Sequence, residues 1–214
     1  MFVENWMTPD PVTLPPSATI SEAAIEMGRC KFRHILVATP LRYGKKLVGI
    51  VSKYDIARAF PNDLNPFSFA VSESSVSKMI STIMSSQIVT VLPSCDIEHA
   101  ARLLRTHHFN ALPVVRENRL VGIITESDIF GALLNMTGAN SGRIKLVVEC
   151  ARNSNPTLHL AQLSERHKLE IQSFASFVDQ SSVKIRSILR FASKPPSSFL
   201  EDLYKLGFRV LTIS

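Results

Sequence analysis

A ten-residue phrase occurs twice in this chain, as LVGIVSKYDI at 47–56 and as LVGIITESDI at 120–129. Each copy joins an apolar run to a glycine (Gly49, Gly122), then a hydroxyl residue (Ser52, Thr125), then an aspartate three places on (Asp55, Asp128). Offsetting the chain by 77 residues extends the match: Val3 meets Ile80, Met7 meets Met84, Val12-Thr13 meets Val89-Thr90, and Ala23-Ala24 meets Ala100-Ala101. After a loop four residues longer in the first copy the offset becomes 73, and Leu47–Ile50 falls on Leu120–Ile123. Two units of about 55 residues therefore occupy 1–60 and 79–136. Two copies are too few for a solenoid, so their apolar faces are expected to cover each other.

Within a unit the periodicity changes along the chain. Thr19-Ile20-Ser21-Glu22 has capping-box form, and Ile20, Ala23, Ala24 and Met27 then recur at helical spacing. In the second copy Asp96 takes the cap position ahead of Ile97, Ala100, Ala101 and Leu104. Two short apolar runs follow in each copy, joined by a polar linker as a β-hairpin requires, and a second helix begins near Asp55 or Asp128. Each unit thus reads strand, helix, strand, strand, helix. Trp6 aligns with Ile83, which favours a core position.

Proline and serine mark 61–78 as the connection between units, and TGANSG at 137–142 as a second boundary. Beyond it, 143–214 follows another plan. IKLVVEC reads as a strand, the segment after Pro156 as a helix, EIQSFASFV and SVKIRSILRF as a hairpin, and FRVLTI as a closing strand. Ser198 and Glu201 have capping-box spacing ahead of Leu203 and Leu206. The order βαββαβ is the ferredoxin-like split βαβ unit. The fold class is α/β (α+β).

The net charge of +6 raises the question of nucleic acid, but the basic residues are scattered with few aromatics among them. A solvated surface explains them better. Cys30, Cys95 and Cys150 are odd in number and widely spaced, which fits a reducing compartment, the cytoplasm by default. No apolar run approaches the roughly 20 residues of a membrane span, and the first residues do not read as a secretory signal.

The repeated phrase admits two readings. Ser52-x-x-Asp55 and Thr125-x-x-Asp128 can simply cap helices. Alternatively, two helix N-termini brought side by side form anion sites, and an Asp beside one can accept both hydroxyls of a vicinal diol. That is the chemistry of a nucleoside phosphate, and a ligand can replace cap contacts.

The phrase, its duplication and the LPVV run at 112–115 resemble tandem CBS domains, the Bateman module. The resemblance covers about residues 1–136 and implies an adenosyl ligand: AMP, ADP or ATP ahead of S-adenosylmethionine or NAD. It implies that Asp55 and Asp128 hold ribose hydroxyls, with Ser52 and Thr125 on phosphate or ribose. Ile50 and Ile123 lie just before them, and Tyr54 and Ser127 directly precede each Asp. Thr13 and Thr90 stand where the family contacts the base, and Arg33-His34 where it places phosphate-binding residues. The second copy has Asn110-Ala111 there, so the stronger site is expected to join Asp55 to Arg33 and His34.

The tail resembles an ACT domain, and the whole layout is similar to acetoin-utilisation-type CBS–ACT regulatory proteins. Thr157 stands where amino-acid-binding ACT domains usually carry Gly, so the tail is expected to pair with its copy in a homodimer. Helix faces at Ala57, Phe60, Ile129 and Leu133 are expected to contribute. No P-loop, GxGxxG or GxSxG is present. His107-His108 lacks acidic or Cys partners for a metal, and His159 and His167 read as helix-surface residues. Cys30, though flanked by Arg29 and Arg33, reads as a small apolar filler. The resulting expectation is a non-catalytic regulatory protein without membrane association, acting on an unknown partner. A structural module with degenerate sites and a nucleic-acid-binding regulator remain the alternatives.

Overall fold

Alternation of apolar and polar residues makes the strands, and hydroxyl residues start several of the helices. In the computed structural model the described residues are 1–59, 78–139, 143–152, 154–179 and 183–214. Phe60 and most of the connection after it lie outside them. The chain divides into two compact units, Met1–Phe130 and Gly131–Ser214.

In the first unit, repeat one contains β1 (Thr8–Pro9), β2 (Thr13–Leu14), α1 (Ile20–Cys30), β3 (His34–Pro40), β4 (Lys45–Ser52) and α2 (Lys53–Ala59). Repeat two contains α3 (Ile97–His107), β5 (Ala111–Arg116), β6 (Arg119–Thr125) and α4 (Glu126–Met136), which runs across the division into the second unit. The expected hairpins form: β3 pairs antiparallel with β4, and β5 with β6. The box at Thr19 also forms, its Oγ1 accepting the Glu22 N–H at 3.1 Å while the Glu22 carboxylate accepts the Thr19 N–H at 2.6 Å. Asp96 holds the N-cap position of α3 by its backbone, but its side chain makes no cap bond. Ile20, Ala23, Ala24 and Met27 form one buried stripe against Ile35, Val37, Val51 and Ile56.

The lead-in of each repeat packs on the other repeat. Val3 N–H donates to Cys95 O at 2.8 Å and Ile97 N–H to Met1 O at 2.9 Å. The equivalent pair, 77 residues on, is Ile80 N–H to Ala18 O at 2.8 Å and Ile20 N–H to Lys78 O at 2.9 Å. Likewise β1 pairs antiparallel with β6, Thr8 opposite Ile123, while Ser85 exchanges backbone bonds with Ile50 at 3.0 and 3.1 Å. This crossing explains the repeated glycine. A Cβ on Gly122 would lie 2.5 Å from Met7 Sδ and 3.1 Å from Thr8 O, and one on Gly49 would overlap Met84 in the same way. Between the repeats, Leu36, Ala38 and Leu120 are buried together, with Leu47, Ile50 and Ile123 packed around them.

The second unit contains β7 (Ile144–Cys150), α5 (Pro156–Arg166), β8 (Ile171–Val178), β9 (Ile185–Phe191), α6 (Ser197–Lys205) and β10 (Arg209–Ile213). Its antiparallel sheet runs β10-β7-β9-β8, the ferredoxin-like order expected from βαββαβ. Leu146, Val148, Leu189 and Phe191 of the sheet bury against Leu160, Leu163, Phe199 and Leu203 of the helices. Asn155 caps α5, accepting the Leu158 N–H at 3.3 Å.

Several expectations are corrected. The box at Ser198 and Glu201 does not form: Pro196, fixed at φ −69°, is the N-cap, so the helix starts two residues early and Ser198 falls inside its first turn. Neither tail histidine is a plain surface residue. His167 packs edge-on against Phe199, 5.6 Å between centroids, with Nε2 3.1 Å from Asp202 Oδ2, and His159 packs against Phe208 at 6.5 Å. Ile129, expected on a free helix face, is buried.

Candidate functional site: two cavities between the repeats

Each repeat helix ends on a residue in the left-handed region, Lys31 at φ 56° after α1 and His108 at φ 54° after α3. The turn throws the next residues sideways, Phe32–His34 in one repeat and Phe109–Ala111 in the other. Because the lead-ins cross, each turn faces the repeated phrase of the opposite repeat. Two cavities of about 280 Å³ result, related by the internal repeat.

The first cavity joins Ile50, Ser52 and Asp55 to His108, Phe109 and Asn110. Ser85, Gln87 and Val89 of the second lead-in close it. The second joins Ile123 and Thr125 to Lys31, Phe32 and Arg33. Thr8, Asp10 and Val12 of the first lead-in close that one. His34 and Asn110 line both cavities.

At the head of each phrase the cap contacts are formed. Asp55 Oδ2 accepts the Ser52 N–H at 2.8 Å and the Ser52 hydroxyl at 2.6 Å, while Ser52 Oγ accepts the Asp55 N–H at 3.2 Å. In the second copy the corresponding distances are 2.7, 2.8 and 3.4 Å between Thr125 and Asp128. Both caps use Oδ2 alone, so neither occupies Oδ1.

The remaining residues divide clearly. Arg33 lies in the Thr125 cavity, not with Asp55 as expected, and its Nη2 donates to Ser127 Oγ at 3.4 Å. The reason is the crossing, which hands each post-helix turn to the opposite phrase. His34 does face Asp55, and burial first, then the Arg33 charge, lower its pKa against the opposing pull of Asp55 and Glu126. Asp128 bonds to Thr125 of the second cavity's wall but is not itself among the lining residues. Tyr54 is 69% exposed, with the Arg58 guanidinium 5.7 Å above its ring, and lines neither cavity. Thr13, paired with Leu36 in the sheet, and Thr90, exposed, also line neither; their neighbours Val12 and Val89 do.

Lining residues that motif reading missed come in repeat-related pairs: Thr8 with Ser85, Asp10 with Gln87, Lys31 with His108. The offset of 77 was the available signal. His107 stacks on Phe109 at 5.3 Å, and among the described residues no three His, Cys, Asp or Glu side chains cluster to hold a metal. Cys30 donates to Glu26 at 3.4 Å, and its thiol is pushed up, by burial first and by that bond next. None of the described helices is long and apolar enough to cross a membrane.

Two pseudo-symmetric clefts, each bounded by a helix-capping aspartate phrase, define a module built from one unit used twice. The model of the CBS domain matches residues 3–62 and 80–135. The chain therefore belongs to the CBS-domain family and carries that domain twice. It is 30% identical over 140 residues to the CBS domain-containing protein YhcV of Bacillus subtilis, covering 65% of this chain and 89% of YhcV. Homoserine O-acetyltransferase of Methanosphaera stadtmanae is 28% identical over 59% of this chain, but only 23% of that enzyme's length is matched.

Three solved structures share the architecture. A Vibrio cholerae protein provisionally assigned to acetoin utilization (AcuB) superposes with a TM-score of 0.54 at 28% identity, over 66% of this chain and 96% of that one. CBSX2 in complex with AMP gives 0.52 at 29% identity, over 63% and 96%. The CBS pair of MJ0100, in complex with 5′-methylthioadenosine and S-adenosyl-L-methionine, gives 0.51 at 25% identity, over 63% and 97%.

Proposed function

We propose that this protein is a non-catalytic regulator whose CBS pair binds an adenosyl ligand in the clefts between the repeats, with AMP, ADP or ATP as the best fit. The carrying observation is the pairing, in each cleft, of a repeated hydroxyl–aspartate phrase with a polar post-helix turn. A carboxylate accepts from two ribose hydroxyls, and a volume of about 280 Å³ approaches that of small-molecule sites. The AMP and methylthioadenosine complexes of the similar CBS pairs support the same ligand class. Thr13, Thr90 and Tyr54 are less suited to contact, since neighbouring residues line the walls instead.

The tail, with its ferredoxin-like sheet and Thr157 exposed at the start of α5, acts as an ACT-like pairing domain in a homodimer. Ligand binding reaches a partner protein through the geometry of that assembly, in the cytoplasm. Light scattering should give a dimeric mass at tens of micromolar; a monomer there would remove this part. Mass spectrometry of small molecules released from freshly purified, denatured protein tests the ligand class. An adenine nucleotide supports it, and an unrelated metabolite bound stoichiometrically would replace it.

A further inference from the structure

The two cavities share a plan but not a charge. Around the Thr125 cavity stand Lys31 and Arg33, on the turn that α1 throws across to the opposite phrase. The acidic residue on that wall, Asp10, is already engaged by Lys45 Nζ at 3.2 Å. At the repeat-related positions of the Asp55 cavity stand His108 and Asn110, and among the described residues no Lys or Arg lines it. Its carboxylate, Asp55, is on the wall, whereas Asp128, bonded to Thr125, is not among the residues that line the other. Among the described residues, the ionisable groups facing the Asp55 cavity are thus one carboxylate and two imidazoles, His34 and His108. Burial disfavours the charged form of His34. Arg58 is not on that wall; it stands over the ring of Tyr54 in an adjoining depression that Asp55 also lines.

We infer that the cavities sort adenosyl ligands by charge: the Thr125 cavity takes one bearing a phosphate, and the Asp55 cavity takes one whose 5′ substituent carries none. A phosphate is held by charge-assisted bonds from cations, and an adjacent carboxylate opposes it. In the Asp55 cavity a phosphate would meet that carboxylate with no lysine or arginine among the described residues of the wall to offset it. A neutral or cationic 5′ group meets no such opposition. This rests on the adenosyl reading of the clefts and adds which ligand each one selects. The two ligands then bind together, not in competition.

Calorimetric titration of the full chain with AMP and with 5′-methylthioadenosine tests the sorting. Arg33→Ala and Lys31→Ala should each weaken AMP by roughly tenfold to a hundredfold and leave methylthioadenosine unchanged. Asp55→Asn should do the reverse, Arg58→Ala should alter neither, and saturation with one ligand should leave the other's site open. Mutual exclusion of the two ligands, or loss of AMP binding in Asp55→Asn but not in Arg33→Ala, would overturn the sorting while leaving the adenosyl reading intact. Absence of saturable binding of either ligand to the unaltered chain would overturn both.

Discussion

Gly49 and Gly122 are the positions at which the repeated phrase tolerates least change, because Met84 and Met7 of the crossing lead-ins lie where a Cβ would go. Gly122→Ala should lower the unfolding free energy by about 1–3 kcal/mol, read from urea midpoints. Combining it with Met7→Ala should recover part of the loss, since the two share one space. Strict additivity would show that the close approach is not what the glycine serves. His34 makes a second prediction. Its pKa is lowered in the folded chain, so below its ordinary value of 6.5 the unfolded state binds more protons and the native state loses stability as pH falls. His34→Gln should flatten that part of the pH dependence, and an unchanged slope would place the titration elsewhere.

At the scale of elements, the two caps and the crossed lead-ins separate what the sequence displays from what it conceals. Ser52→Ala removes an acceptor for the Asp55 N–H and should cost about 1 kcal/mol in unfolding free energy. Ile80, fully buried in the first repeat's core from beyond the connection, should cost about 2–5 kcal/mol as Ile80→Ala. Hydrogen exchange should then show lost protection over α1 and β4 before α3 and β6; the opposite order would contradict the crossing. The hairpins, the α1 box and the ferredoxin-like order were legible because local periodicity and capping chemistry carry them. The crossing was not, because the backbone bonds between Thr8–Pro9 and β6, or between Ser85 and Ile50, leave no periodic mark. That is why Arg33 was assigned to Asp55 although it lies with Thr125. The Ser198 spacing misleads for a local reason: Pro196 starts the helix two residues earlier than a cap at Ser198 would.

At the scale of the whole molecule, the repeat produces two clefts from one phrase by exchanging lead-ins, and their linings then diverge. The central claim is that the aspartate phrase binds a ligand as well as capping a helix. Titration of the full chain with 5′-methylthioadenosine, unaltered and as Asp55→Asn, tests it most directly, because Asp55 lines its cavity. Saturable heat is expected from the unaltered chain, with affinity about ten- to a hundredfold weaker in the variant. The ligand-free melting point should stay nearly the same, because an amide oxygen can still accept the Ser52 N–H while offering no second acceptor to a ribose. A lowered melting point with an unchanged methylthioadenosine response would contradict the claim and leave the repeated phrase as a helix cap alone.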